Sequence, residues 1–109
     1  MGKFLSALRG AAPIRMTAPP QAVVDIVCAA AREMGAETSG TGDGSRRDGI
    51  TLAVHGKENG VVWVVQVDIR RAWKGSSVEL TALGEGMGCP DIYEASVKRR
   101  DALADALRG

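Results

Sequence analysis

The chain has few of the side chains that carry most enzymatic and metal chemistry. Its 109 residues include one histidine, His55, and two cysteines, Cys28 and Cys89. The two cysteines match neither a metal-ligand spacing nor a redox pair, and Cys28 lies inside a helical apolar pattern as a small buried hydrophobe would. Any nucleophile paired with a histidine would have to use His55. We therefore expect a non-enzymatic protein with no cofactor and no metal.

Aromatic residues, net charge and long apolar runs are also scarce. The aromatic residues are Phe4, Trp63, Trp73 and Tyr93, so the core must be built mostly from aliphatic side chains. A formal net charge of +1 argues against a general polyanion binder. No apolar run approaches the ~20 residues that span a bilayer, and the pattern of a secretory signal is missing. We expect a cytoplasmic protein with peripheral attachment as its route to a membrane.

The first residues match the acceptor pattern for N-myristoylation, in which Gly2 is exposed by removal of Met1 and Ser6 follows four positions later. The same segment has an apolar helical face with cations beside it, which is typical of a short membrane anchor. That face comprises Phe4, Leu5 and Leu8, flanked by Lys3 and Arg9. We expect an amphipathic extension over residues 1–13, followed by a single α+β domain over residues 14–109. The alternative is an unmodified start with no anchoring role.

Hydrophobic periodicity predicts the elements of that domain. A helix should run from Pro20 to Met34, with Gly35 as a left-handed C-cap, and a last helix should begin near Asp91. Alternation predicts strands over residues 14–17, 50–55, 61–69 and 77–83. Asn59-Gly60 predicts a hairpin turn, residues 70–75 a second turn, and residues 37–49 a polar loop. The economical arrangement is an α+β fold of order β-α-β-β-β-α, with an antiparallel sheet of three to four strands and both helices on one face.

Two glycine runs bear on nucleotide binding. The run from Gly40 to Gly44 follows a helix, whereas a dinucleotide loop must follow a strand. The run from Gly84 to Gly88 does lie between a strand and a helix, but no parallel strand comes after it. Its free N–H groups could meet an anion, and the alternative is a flexible connection.

Positive charge collects around one tryptophan. Arg70, Arg71 and Lys74 surround Trp73, and Lys57 lies in the Asn-Gly hairpin. Cations around an indole suit a membrane interface, where the ring settles among the headgroups and the charges meet anionic lipid. Nucleic-acid phosphates are a weaker match, because one aromatic gives no stacking platform and the net charge is close to zero. The alternative is that Trp73 covers the edge of the core while the charges solvate a turn.

The organisation from Ile14 to Leu107 resembles the kinase-associated domain 1, the C-terminal module of microtubule-affinity-regulating, checkpoint and AMP-activated kinases. Members of that family have a strand, a helix, three or four antiparallel strands and a last helix. They often have a glycine five residues before an aromatic that opens the last helix, as Gly88 and Tyr93 are spaced here. Where they carry basic residues on the preceding strand, this chain has Thr81 and Ala82. The resemblance implies binding to acidic phospholipid membranes or restraint of a kinase.

These observations predict a module that docks on an anionic membrane surface. A single myristoyl chain binds membranes with an association constant of only ~10⁴ M⁻¹, so a second signal is required. The alternative is a protein-interaction module in which Trp63 or Trp73 anchors a partner. The residues predicted to bind lipid or another anion are Lys57, Arg70, Arg71, Trp73 and Lys74, with Gly2 as the lipidation site.

Overall fold

Five antiparallel strands and two helices make up the structure, a computed structural model that describes residues 13–40, 49–83 and 90–108. The strands lie in the spatial order β1-β5-β4-β3-β2. The α+β class is therefore confirmed. In chain order the elements are β1 (Ile14–Met16), α1 (Pro20–Glu33), β2 (Glu37–Gly40), β3 (Gly49–Glu58), β4 (Val61–Ala72), β5 (Gly75–Ala82) and α2 (Pro90–Arg108).

The expectation of three to four strands was wrong, because β2 forms within the stretch predicted to be a loop. Its sequence, Glu-Thr-Ser-Gly, is exposed at every position and so carries no apolar alternation. It is a strand because it pairs with β3, from Glu37 opposite His55 to Gly40 opposite Leu52. Backbone hydrogen bonding at a sheet edge leaves no hydrophobic signature in the sequence.

The first helix follows its sequence signals. α1 starts at Pro20, where a missing N–H costs nothing, and Met34 and Gly35 end it. Gly35 has φ +72°, the left-handed conformation expected of a C-cap. Not every apolar residue of α1 packs against the sheet, since Ile26 is 39% exposed.

Both hairpins are tight. Asn59 and Gly60 connect β3 to β4 with φ values of 52° and 80°, as a type I′ turn requires. β4 continues to Ala72, which pairs with Gly75, so only Trp73 and Lys74 form the second turn. The predicted turn over residues 70–75 was therefore too long.

The core lies between the helices and one face of the sheet. Alternate strand residues point to the same face, and here these are mostly branched aliphatic residues together with Trp63. Both helices contribute buried residues to the same cluster. The fully buried or nearly buried apolar residues include Ile14, Val23, Val27, Ala31, Leu52, Val54, Trp63, Val65, Val67, Ile69, Val78, Leu80, Leu103, Ala104 and Leu107.

The opposite face of the sheet, which we call the open face, has no described element packed on it. Its central rungs are polar: Asp68 accepts hydrogen bonds from the Thr51 hydroxyl at 2.8 Å and from the Gln66 amide at 3.0 Å. Neither described helix has the length and apolarity to cross a bilayer.

Candidate functional site

Trp73 is the most exposed large hydrophobic residue in the described part of the chain. It is 83% exposed at the tip of the β4–β5 hairpin, whereas Trp63, near the start of β4, is 2% exposed in the core. The interpretation that Trp73 covers the edge of the core was therefore wrong. An indole left in water at a hairpin tip has no packing role to explain it.

Four cations lie around this tip. Arg70 and Arg71 immediately precede Ala72, the last residue of β4. As neighbours on a strand, they lie on opposite faces of the sheet. Arg70 shares the open face with Arg15, because both pair with Ser77 from either side of β5. Two strand spacings separate Arg15 from Arg70, or about 10 Å. We call the group Arg15, Arg70, Arg71, Trp73 and Lys74 the basic end.

The charge of the basic end is not neutralised within the described part of the chain. None of its four cations forms an ion pair or a side-chain hydrogen bond there. Residues 13–24 and 69–78 contain no aspartate or glutamate, and the carboxylates of Asp68 and Glu79 lie on the open face two residues along the strands from Arg70 and Ser77. The N-terminus of α1, which carries the positive end of the helix dipole, lies at the same place.

The hairpin tip is held against the connection between β1 and α1. The buried Ser76 hydroxyl donates to the Ala18 carbonyl oxygen at 2.8 Å. Gly75 has φ +152°, and a Cβ there would collide with the carbonyl oxygen of Met16. Only glycine permits this approach, so Trp73 is presented on a fixed support rather than on a loose loop.

A shallow cleft of about 270 Å³ lies beside the tip, on the helix side of the sheet. Arg71 lines it from β4, opposite Thr17 and the two prolines at the start of α1, Pro19 and Pro20. Arg70, one residue earlier, does not line it. The two arginines of the predicted patch therefore have different surroundings.

Lys57 does not belong to this group. It pairs with Val62 near the start of β4, ten residues before Ala72. That separation is roughly 30 Å along the strand. The structure thus brings together four of the five predicted residues and adds Arg15, which sequence reasoning missed.

A second basic run, Lys98 to Arg100 on α2, forms ion pairs with two carboxylates. Arg99 donates to Glu58 at 3.0 Å and lies over the Trp63 ring at 5.3 Å from the centroid, and Lys98 lies 3.8 Å from the same carboxylate. Arg100 is 4% exposed and pairs with Asp101 at 3.2 Å. Arg99 and Arg100 are therefore held by ion pairs within the fold, whereas Lys98, whose side chain is 74% exposed, shares the Glu58 carboxylate with Arg99.

Among the described residues, no group of three His, Cys, Asp or Glu side chains could hold a metal ion. His55 is half-buried on the open face, opposite Glu37 and Val64. Cys28 is half-buried rather than buried, with its sulfur 3.7 Å from the Thr38 hydroxyl. The predictions for Gly2 and for the run from Gly84 to Gly88 fall on residues outside those described. Gly40 is the last residue of β2, so the expectation that the first glycine run follows a helix was wrong.

Neither a family model, nor a curated protein, nor a solved structure matches the chain. The resemblance to the kinase-associated domain 1 therefore stays a prediction.

Proposed function

We propose that this protein is a non-enzymatic module that docks on anionic membrane surfaces through its basic end. The observation that carries the proposal is the exposure of Trp73 on a fixed hairpin between unpaired cations. An exposed indole favours the headgroup region of a bilayer, where its ring is desolvated and its N–H still finds a partner.

The cations supply the second part of the attraction. Each lysine or arginine near an anionic leaflet contributes about 1 kcal/mol. Arg70, Arg71 and Lys74 together are then worth roughly 3 kcal/mol, or about a hundredfold in affinity. Because the tip is already ordered by Ser76 and Gly75, docking loses little conformational entropy at this site.

Co-sedimentation with phosphatidylcholine vesicles containing phosphatidylserine tests the proposal. Trp73→Ala should weaken binding about tenfold, while Val62→Ala, which removes another exposed apolar side chain at the far end of β4, should leave it unchanged. Binding should fall as salt rises, because exposed charges are screened beyond about 8 Å at physiological ionic strength. Equal binding by the two variants would contradict the assignment of the site.

The alternative function is a protein-interaction module anchored by Trp73, since exposed aromatic residues dominate interface hot spots. Trp63, predicted as the other possible anchor, is 2% exposed and lies in the core. The same experiment separates the two functions. If the chain does not bind anionic vesicles but binds one stoichiometric protein partner, and Trp73→Ala abolishes that binding, the protein-interaction function is supported and membrane docking is overturned.

Acylation of Gly2 is a separate part of the proposal. A myristoyl group contributes about 0.8 kcal/mol per buried methylene and binds reversibly by itself, so it would act together with the basic end. Intact mass of the protein from its native host should show loss of Met1 and addition of the acyl group. An unmodified Gly2 would remove the lipid from the proposal and leave the basic end as the sole attachment.

A further inference from the structure

We infer that the cleft beside Arg71 binds the phosphate monoester of a lipid headgroup, so that the docking surface prefers lipids with a terminal phosphate over other anionic lipids. This inference rests on the proposed membrane function. Its starting point is the difference between Arg70 and Arg71: one faces the open side of the sheet, and the other lines a concave site.

The chemistry of the cleft fits a phosphate. Arg71 has no ion-pair or hydrogen-bond partner within the described residues, so its guanidinium donors are available. A guanidinium offers a planar fork of N–H donors that matches phosphate oxygens in pairs. Thr17, whose side chain carries a hydroxyl, also lines the cleft, and the two prolines supply rigid, apolar lining.

The size of the cleft limits the ligand. At about 270 Å³ it lies just below the ~300–1,000 Å³ typical of sites for drug-sized ligands. It is much larger than the ~30 Å³ that one water molecule occupies in the liquid. A small charged group therefore fits, whereas a long peptide would remain largely outside.

The position of the cleft beside Trp73 favours a membrane lipid as the source of the phosphate group. The cleft includes Ala72 and Gly75, the two residues that bracket the turn bearing Trp73. With the indole at headgroup level, the cleft lies beside the plane of the headgroups. A monoester carries about −1.5 to −2 charges near neutral pH, more than the single phosphodiester charge of an ordinary anionic lipid, and so gains more from Arg71.

The test compares two vesicle types at equal surface charge, one made anionic with phosphatidylserine and the other with phosphatidic acid. The unmodified chain should bind the phosphatidic acid vesicles about tenfold more tightly, the size expected for hydrogen bonds between charged groups. Arg71→Gln should bring that ratio close to one. Arg70→Gln, the matched control on the opposite face, should weaken binding to both vesicles and leave the ratio unchanged.

The outcomes separate this inference from the proposed function. A chain that binds both vesicle types equally, or an Arg71→Gln variant that keeps the preference, overturns the phosphate site while membrane docking stands. Failure to bind either vesicle overturns both. Glycerol 3-phosphate in solution should compete only weakly, and full competition at low concentration would show that the cleft takes free phosphate esters instead of a lipid.

Discussion

Single residues decide how the basic end is built. Gly75 lets the hairpin lie directly against the β1–α1 connection, and Ser76 then bonds to Ala18. Sequence reasoning identified Trp73 and its neighbouring cations from their clustering in one short turn. It left two alternatives for Trp73, exposure at a membrane interface or coverage of the core edge, because contacts made by distant segments decide whether a tryptophan in a turn packs on the core or projects into water.

Replacing Gly75 with alanine should destabilise the fold strongly. The new Cβ meets backbone atoms of Met16 and Thr17, which cannot move as a side chain can, and the φ of +152° disfavours any L-residue. We expect a loss of about 3 kcal/mol in the free energy of unfolding, measured by denaturant titration. Gly60→Ala is the control, because its φ is +80° and nothing lies within 4 Å, and it should lose about 1 kcal/mol. Equal losses would contradict the close approach.

Glu58 should contribute to stability through Arg99, which it holds over the Trp63 ring. Both side chains of the ion pair are less than one-third exposed. Glu58→Gln should therefore lower the free energy of unfolding by about 1 kcal/mol. Asp105→Asn removes the same charge from an exposed α2 position with no ion pair in the described structure and should be close to neutral. Matching losses for the two variants would show that the pair adds nothing.

At the scale of whole elements, α2 supplies a hydrogen-bond partner to β4 where β5 has ended. β5 ends at Ala82, which pairs with Val65, so the preceding residue on β4 has no strand partner on that side. The Val64 carbonyl accepts from the Leu83 N–H at 3.0 Å, and the Val64 N–H donates to the Ser96 hydroxyl at 3.0 Å. Ser96 is fully buried, so its hydroxyl is the partner that a buried N–H needs.

Ser96→Ala should leave the Val64 N–H buried and unpaired. We expect a loss of about 1–3 kcal/mol in the free energy of unfolding and faster hydrogen exchange at the Val64 amide. Ser77→Ala, a half-buried serine on the open face with no side-chain hydrogen bond among the described residues, should affect neither. Unchanged exchange at Val64 would show that water replaces the serine.

The elements with a strong apolar period and clear end signals were predictable, and those held by tertiary contacts were not. α1 was confirmed together with its proline start and glycine end. The buried face of α2 includes Ser96 and Arg100, which no apolar pattern would select. β2 was missed because its four residues are all exposed and only the edge of β3 makes them a strand.

Across the whole molecule, charge is unevenly distributed. The basic end holds free cations, whereas the cleft beside the Asn59–Gly60 turn is lined by Glu58, Asp91 and Glu94 with Lys98. The sequence could not show this arrangement, because it depends on pairing between strands that are distant in the chain. That pairing places Arg15 close to Trp73 and Lys57 far from it. Local clustering was visible in the sequence, and the spatial division of charge was not.

The distribution of charge, rather than its total, should govern membrane binding. Arg70→Glu with Lys74→Glu should abolish co-sedimentation with phosphatidylserine vesicles, because repulsion replaces two attractive contacts of about 1 kcal/mol each. Arg32→Glu with Lys57→Glu changes the net charge equally but lies on exposed positions away from the basic end. That pair should retain most of the binding. Equal loss in both variants would indicate a nonspecific charge effect.

The contrast between the two tryptophans gives the protein its own optical reporters. With Trp63 at 2% exposure and Trp73 at 83%, the native emission combines one indole in an apolar environment and one in water. Unfolding moves Trp63 into water and shifts the spectrum to longer wavelength, while insertion of Trp73 among lipid headgroups shifts it to shorter wavelength. Unfolding and attachment to a bilayer therefore shift the tryptophan emission wavelength in opposite directions, without any added label.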